Sequence, residues 1–326
     1  MTEILKLDEI KKLVDVPKLI TAIEEGFARY SEGKVVVPPV GFLHFDQPPG
    51  DVHIKYGYIP GDDYYVLKIA SGFYDNPQLG LPMSDGVVLV FCQKTGVLKL
   101  LLMDECWLTE MRTAAAGAVA AKHLAPKHVE GIGIVGTGSQ ARFQLEMLRD
   151  VVDCKTCYIW GRDPDKVQAM IKDLHGRAQI KDWGLDIRAA ADMDELTAKC
   201  NLIVTTTSAK DPIIMADQVR PGTHITAMGS DDLGKQELDT ALLAKADLIV
   251  ADSISQCVHH GECCPAVKDG LIAEASILEL GSLISNPALG RTNEQQITIA
   301  DQTGVAIHDI QIAKMVEQAF KKTKNY

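Results

Sequence analysis

A glycine-rich segment in the middle of the 326-residue chain has the spacing that binds the pyrophosphate of a dinucleotide. It reads Gly136-Thr137-Gly138-Ser139-Gln140-Ala141. The apolar strand run Gly131–Val135 precedes it, and a helix is predicted over Ala141–Leu148. Gly136 permits a tight turn, and Gly138 lets the backbone approach a pyrophosphate bound at the helix N-terminus. A strand-turn-helix corner without a ligand is the structural alternative.

The residues after the second predicted strand, Tyr158–Trp160, indicate which dinucleotide the chain prefers. In NAD-binding proteins an Asp or Glu about twenty residues beyond the glycine motif holds the ribose 2′-hydroxyl. This chain has Gly161 at that place, followed by Arg162. Because a guanidinium binds phosphate through paired hydrogen bonds, the pattern favours NADP(H). Asp163 leaves NAD(H) open as the alternative.

Composition and charge narrow the class of protein. The net charge of −11 and the pI near 5.3 disfavour nucleic acid as a partner, because phosphate binding needs clustered Lys and Arg. No run approaches the ~20 apolar residues of a membrane span. The first residues lack the basic-then-apolar order of a signal peptide. We therefore expect a cytoplasmic protein without a membrane partner.

The cysteines and histidines do not predict a metal site. Eight cysteines scattered through a chain of this size indicate reduced thiols. Cys154 and Cys157 form a CxxC, but no second pair stands at zinc-finger spacing. The potential ligands within His259–Cys264 are adjacent and cannot easily converge on one ion. No metal is expected.

The elements that must position these residues change character along the chain. Apolar residues at three- and four-residue spacing predict a helix over Pro17–Gly33, and an Ala-rich helix is predicted over Leu108–Leu124. Between them, short β-branched and aromatic runs separated by Pro, Gly and Asp predict an antiparallel meander. Its predicted strands are Val35–Val37, His53–Tyr58, Tyr64–Ile69, Val87–Phe91 and Val97–Leu102.

From Pro126 onward strands alternate with helices, which is typical of a doubly wound parallel sheet. The predicted strands are Gly131–Val135, Tyr158–Trp160, Asp186–Arg188, Leu202–Thr206, His224–Met228, Leu248–Ala251 and Gln296–Ala300. A helix over Val305–Lys321 is expected to bury its apolar face on the first lobe. We therefore predict an α/β fold with a Rossmann domain at 126–304 and a discontinuous α+β lobe of 1–125 with 305–326.

Several segments together resemble the ornithine cyclodeaminase and mu-crystallin family. They are Leu108-Thr109-Glu110-Met111-Arg112-Thr113-Ala114-Ala115, Lys122-His123-Leu124-Ala125-Pro126-Lys127, the glycine turn, Met228-Gly229-Ser230-Asp231 and Gly234-Lys235-Gln236-Glu237-Leu238. The resemblance implies a Rossmann domain and an N-terminal lobe that binds substrate and forms a homodimer. Family members act on amino, imino or keto acids with NAD(P)(H). They include cyclodeaminases, alanine dehydrogenases, ketimine reductases, iminosuccinate reductases and the hormone-binding mu-crystallin.

The resemblance assigns roles to three charged residues. Arg112 matches the arginine that grips the substrate carboxylate, a contact that suits a planar guanidinium. Lys68 matches a lysine of the catalytic site that contacts the substrate, and within an apolar strand it is costly unless paired or exposed. Asp231 matches the catalytic acid–base residue and follows the carboxyl end of a strand, where open α/β sheets bind ligands.

The remaining expected contacts are to the cofactor. Thr206 and Ser208 follow the fourth strand of the parallel sheet and are expected on the nicotinamide side, and Asp301 resembles part of a C-terminal segment near the cofactor. The complete predicted set is Gly136, Thr137, Gly138, Ser139, Gln140, Ala141, Gly161, Arg162, Thr206, Ser208, Met228, Gly229 and Gly304.

One feature departs from the family. Ornithine cyclodeaminases carry an arginine in the N-terminal meander that helps to fix the substrate carboxylate, and the corresponding stretch Val40–Phe45 has none. His44, or His53 and Lys55 one strand later, are the candidates to replace it. The departure argues against ornithine cyclodeamination. We therefore predict an NAD(P)H-dependent imino-acid reductase or amino-acid dehydrogenase, with a cyclodeaminase-type lyase or a mu-crystallin-like binding protein as alternatives.

Overall fold

The computed structural model describes residues 2–324, which form two compact units. Residues 2–113 and 305–324 make up the first, and residues 114–304 make up the second. The boundary between the two units, after residue 113, therefore falls inside the Ala-rich helix, twelve residues before the boundary predicted at 125. The reason is that the C-terminal half of this helix packs within the second unit: Gln302 Nε2 donates to Ala116 O (3.3 Å), and Ala121 lies in the core of the parallel sheet.

The first unit consists of a six-stranded sheet and its helices, counted over the described residues. Its strands are β1 (Glu3–Lys6), β2 (Gly41–Phe45), β3 (Gly50–Tyr58), β4 (Tyr64–Phe73), β5 (Ser84–Cys92) and β6 (Leu98–Met103). Its helices are α1 (Leu7–Lys11), α2 (Val16–Ser31), the start of α3 (Trp107–Leu124) and α12 (Ala306–Thr323).

The strands follow the order β1-β6-β5-β4-β3-β2, with every neighbouring pair antiparallel except β1 and β6. The strand predicted at Val35–Val37 is wrong, since only Val36 forms an isolated bridge, to Tyr58. Pro38 and Pro39 follow it and lack the N–H groups that a ladder needs. The predicted set also omitted β1 and β2.

Helix α12 packs against α2, β3 and β4. The contact with α2 is close, because a Cβ at Gly26 would lie 3.1 Å from both Gln311 Cγ and Ile307 Cγ1. Gln311 Nε2 donates to Ala22 O at 2.7 Å. The buried residues of α12 include His308 and Asp309 as well as isoleucines, so this helix brings polar groups to the covered face of the sheet.

The second unit is an eight-stranded parallel sheet with helices between its strands, within the described residues. Its strands are β7 (Ile132–Val135), β8 (Thr156–Trp160), β9 (Asp186–Ala189), β10 (Leu202–Thr205), β11 (His224–Ala227), β12 (Leu248–Ala251), β13 (Ile277–Glu279) and β14 (Thr298–Asp301). Its helices, besides the end of α3, are α4 (Ser139–Leu148), α5 (Pro164–Gly176), α6 (Ala178–Trp183), α7 (Met193–Lys199), α8 (Thr240–Lys245), α9 (Ile254–His260), α10 (Cys263–Lys268) and α11 (Leu280–Ser285).

The parallel sheet has the order β13-β12-β14-β11-β10-β7-β8-β9. Strand order reverses between β7 and β10, and ligands of doubly wound sheets bind at such a reversal. The Rossmann-type sheet is confirmed, together with a three-residue strand, β13, that was not predicted. Strand β14 inserts between β11 and β12, so the sheet is not laid down in sequence order. No helix within residues 2–324 is long and apolar enough to cross a bilayer.

Candidate active site

The glycine turn connects β7 to α4 at the reversal of strand order. Gly136 has a φ of 122°, which only glycine adopts readily, and a Cβ there would lie 2.5 Å from Thr206 Oγ1. Gly138 is the N-cap of α4, and a Cβ on it would meet no atom within 4 Å. The turn therefore presents bare backbone and a free helix N-terminus, which fits a bound pyrophosphate.

Arg142 fixes this turn, a role that sequence reasoning missed. Its Nη1 donates to Thr137 O (2.6 Å) and to Gly138 O (2.8 Å), and its Nε donates to Asp173 at 2.8 Å. An arginine in the first turns of a helix ordinarily indicates a solvated surface. Only the fold reveals that Arg142 binds two carbonyl groups of the turn.

The carboxyl end of β8 lies against the glycine turn. A Cβ at Gly161 would approach Thr137 Cγ2 to 2.8 Å. Arg162 is exposed, and its side chain makes no hydrogen bond or ion pair with any described residue. Asp163 instead caps α5 and accepts from the N–H groups of Asp165 (3.0 Å) and Lys166 (3.3 Å). Its carboxylate is therefore occupied, whereas the Arg162 guanidinium is available to a ligand.

The other predicted cofactor residues follow the carboxyl ends of neighbouring strands. Thr206 Oγ1 donates to Val135 O (3.1 Å), and Met228 N donates to Thr205 O (3.0 Å). Gly304 N donates to Asp252 Oδ2 at 2.6 Å. Because the strands are parallel, these groups share one edge of the sheet with the glycine turn.

Asp231 lies in the loop that follows β11. Its side chain is 44% exposed, and its Oδ1 pairs with Lys235 Nζ at 2.6 Å. Ser230 Oγ donates to Lys235 O at 2.9 Å, which closes the loop further. Neighbouring Asp232 accepts from Leu233 N at 2.7 Å, as an ordinary turn residue does. Asp231 is thus an accessible carboxylate held by a cation, which suits proton transfer to a ligand.

In the first unit, Lys68 on β4 and Arg112 on α3 converge on one carboxylate, Asp309 of α12. Lys68 Nζ and Arg112 Nε each lie 3.2 Å from Asp309 Oδ1. All three residues expose 4% or less of their surface. Asp309 is a second residue that sequence reasoning missed. It stands almost 200 positions from Arg112 in the chain, and an Asp in the first turn of a helix ordinarily reads as a favourable dipole contact.

The sheet register brings Lys55 to the same place. Lys55 on β3 is directly opposite Lys68 and is also buried, and such like-charged cross-strand pairs are destabilising without an anion nearby. His53 lies on the same face of β3, partly buried, with its Nε2 3.4 Å from Asp51 Oδ1. His44 is 63% exposed and pairs with Asp46, so it does not belong to this cluster.

The electrostatics of this charged cluster suit an anionic ligand. Burial, with Arg112 nearby, lowers the pKa of Lys68. Burial alone would raise the pKa of Asp309, but Arg112 and Lys68 outweigh it and the pKa is lowered. Burial raises the pKa of Asp104 to about 6.

Three buried cations, Lys55, Lys68 and Arg112, thus share this cluster with the buried carboxylates of Asp309 and Asp104. Within residues 2–324, the buried Arg112 Nε has no partner of hydrogen-bond geometry. A ligand carboxylate would offer this guanidinium nitrogen an acceptor of suitable geometry.

We predict that Asp309→Asn lowers the free energy of unfolding by roughly 3–5 kcal/mol, because it leaves two buried cations without their carboxylate. Glu130→Gln is the matched control. It breaks the exposed Glu130–Arg220 pair (2.6 Å) and is expected to cost less than about 1 kcal/mol. Urea unfolding of both variants measures the difference, and equal losses would contradict the structural role of Asp309.

The comparisons with known proteins agree with this geometry. Residues 1–324 match the family model "Ornithine cyclodeaminase/mu-crystallin family". The uncharacterized cyclodeaminase y4tK of Sinorhizobium fredii is 39% identical over 97% of this chain and 95% of its own. An archaeal alanine dehydrogenase dimer with bound NAD is 32% identical, with a TM-score of 0.89, over 100% of this chain and 97% of its own.

The Δ1-pyrroline-2-carboxylate reductase of Thermococcus litoralis, solved in complex with NADH and L-proline, is 27% identical. Its TM-score is 0.91, over 99% of this chain and 98% of its own. A match to the family model over nearly the whole length, with close agreement of the fold, is decisive. The chain belongs to the ornithine cyclodeaminase/mu-crystallin family.

Proposed function

We propose that this protein is an NAD(P)H-dependent oxidoreductase that reduces the C=N bond of an α-imino acid, or oxidises the corresponding amino acid in reverse. The observation that carries the proposal is the buried cluster of Lys68, Arg112 and Asp309, whose two buried cations share a single Asp309 oxygen and suit a substrate carboxylate. The glycine turn, with its bare backbone and helix N-terminus, would hold the dinucleotide.

In the proposed reaction a bound nicotinamide supplies a hydride to the α-carbon of the imine. Arg112 and Lys68 bind the α-carboxylate, with Lys55 and His53 as further contacts from the same face of the sheet. The imine nitrogen gains one proton, which the solvent-exposed Asp231 takes up from water and passes on, and the products are the amino acid and the oxidised dinucleotide. Lys235 keeps the Asp231 carboxylate oriented for this transfer.

Asp231→Asn is expected to lower kcat for imine reduction by about 10²- to 10⁴-fold, the usual contribution of a positioned acid–base group. The Kd for NADPH should stay nearly unchanged, because the glycine turn is untouched. Asp232→Asn is the control, since Asp232 only closes a turn. Dinucleotide oxidation is followed with keto acids plus ammonia or methylamine and with preformed cyclic imines. Turnover in Asp231→Asn that matches the wild type would remove Asp231 from the mechanism.

The same assay distinguishes two other functions. A cyclodeaminase oxidises and then re-reduces its substrate, so it would release ammonia without a net change in NADPH. The likeness to cyclodeaminase y4tK is the observation that keeps this alternative. A binding protein of the mu-crystallin kind would bind the dinucleotide tightly without turning over any imino acid. We favour the reductase because the meander has no arginine at 40–45.

We propose further that NADP(H) is the preferred cofactor. Arg162 is exposed and uncommitted, and Asp163, the carboxylate next to it in sequence, caps α5. Arg162→Ala is expected to lower kcat/KM for NADPH about 10- to 100-fold, as the loss of a charge-assisted hydrogen bond does, and to leave that for NADH nearly unchanged. Arg149→Ala is the control, since it removes one charge at the opposite end of α4. A wild-type preference for NADH would overturn the proposal.

The family resemblance and the exposed face of the first sheet support a homodimer. On the face opposite α12, Tyr56 and Tyr58 are 38% and 37% exposed, and the rings of Tyr65 and Phe91 stack at 4.8 Å. A contiguous apolar surface of this kind is typical of an interface. Tyr56→Glu with Tyr58→Glu is expected to convert a dimer to a monomer in sedimentation velocity. A wild-type monomer at micromolar concentration would contradict the homodimer.

A further inference from the structure

A buried carboxylate, Glu237, holds the carboxyl ends of two neighbouring strands of the parallel sheet. Its side chain is fully buried. Oε2 accepts from Thr205 Oγ1 (2.5 Å), at the end of β10, and from Gly229 N (2.9 Å), just beyond β11. Oε1 accepts from Thr207 N at 2.5 Å. One side chain therefore ties together two strand ends at the edge where the cofactor residues lie.

The same contacts close the loop that carries Asp231. The loop begins at Gly229, whose N–H donates to Glu237, and it ends at Glu237 itself. Inside it, Ser230 Oγ donates to Lys235 O, and Lys235 Nζ pairs with Asp231. Because Glu237 holds one end of the loop to the other, it sets where Asp231 stands relative to the strand ends.

The space around Glu237 is closely filled. A Cβ at Gly229 would lie 2.1 Å from Thr207 O and 2.5 Å from Glu237 Cδ, so glycine is required for the close approach. Glu262 accepts from the backbone N–H groups of Glu237 (2.7 Å) and Leu238 (3.0 Å), which fixes the backbone that carries the Glu237 side chain. Glu262 is itself buried, so the support is rigid.

The chemistry of the contacts selects a carboxylate. All three neighbours of the Glu237 side chain are donors, and an ionised carboxylate only accepts. Glutamine would present an NH₂ group to at least one of these donors and would lose that bond. Burial raises the pKa of Glu237, opposed by the donors at Thr205, Thr207 and Gly229.

We propose that Glu237 is a positioning residue for hydride and proton transfer, which acts by clamping the ends of β10 and β11 and the loop of Asp231. This inference rests on the proposed reductase function. Glu237 does not touch the reacting atoms in it. A displacement of a catalytic group by about 1 Å can cost on the order of 100-fold in rate, which sets the scale of the effect.

The test is Glu237→Gln, assayed for imine reduction with NADPH and with NADPH deuterated at the transferred position. We expect kcat to fall about 100-fold and the deuterium isotope effect on kcat to rise, while the Kd for NADPH changes less than about threefold. A purely structural role would lower the amount of folded enzyme without raising the isotope effect. An unchanged kcat and isotope effect would overturn the proposal.

Asp239→Asn is the matched control, because Asp239 also accepts backbone N–H groups, but from Ala241 (3.0 Å) and Ala216 (3.4 Å), which belong to neither β10 nor β11. It should keep the wild-type kcat. If Glu237→Gln does not fold, Thr205→Val removes one of the three donors at nearly constant volume. In Thr205→Val we then expect a smaller fall in kcat and a smaller rise in the isotope effect. Wild-type kinetics in this variant would overturn the proposal.

Hydrogen exchange separates this inference from the proposed function, since it needs no substrate. Peptides covering 205–209 and 228–236 should exchange faster in Glu237→Gln than in Asp239→Asn. If the wild-type enzyme reduces imines but Glu237→Gln and Asp239→Asn exchange at the same rate, the positioning role of Glu237 is overturned and the reductase function is not. A wild-type protein inactive on every imino acid would overturn the reductase function, and with it the catalytic consequence of the clamp, whatever the exchange rates.

Discussion

Lys68 and Arg112 are withdrawn from water, and a buried cation persists in a fold only with an anion and hydrogen-bond acceptors beside it. Asp309 provides that anion from a helix almost 200 residues further along the chain. The discontinuity of the first unit follows from this requirement, because α12 must cover β3 and β4 for the charges to be tolerated. One buried carboxylate therefore serves two buried cations.

The second unit meets the same constraint in another way. Two of its buried carboxylates, Glu237 and Glu262, accept from backbone N–H groups and a hydroxyl instead of pairing with cations. An acceptor shared among several backbone donors fixes the chain more tightly than a surface ion pair does. The first unit thus pairs its buried Asp309 with cations, and the second uses Glu237 to hold strand ends in place.

Sequence reasoning recovered the features whose signal is local. Each of these signals lies within a short stretch of sequence. They are the glycine turn, the alternation of strands and helices, and the family motifs around Arg112 and Asp231. It missed Asp309 and Arg142, because their partners are set by the fold and each has an ordinary surface interpretation on its own helix. The domain boundary at 125 differed for a related reason, since α3 has no break where its packing partners change. Strand β13 was missed because three residues carry too little periodicity.

The insertion of β14 between β11 and β12 has a consequence for biosynthesis. Chains fold as they emerge from the ribosome, N-terminal segments first. Strands β12 and β13 emerge before β14 but have no edge to join until it arrives, because β14 separates them from β11. Helix α12, whose Asp309 pairs with Lys68 in the first unit, is synthesised later than β14. Both units are therefore completed only after translation has passed residue 298, and a stalled or truncated nascent chain would expose both cores to chaperones at once.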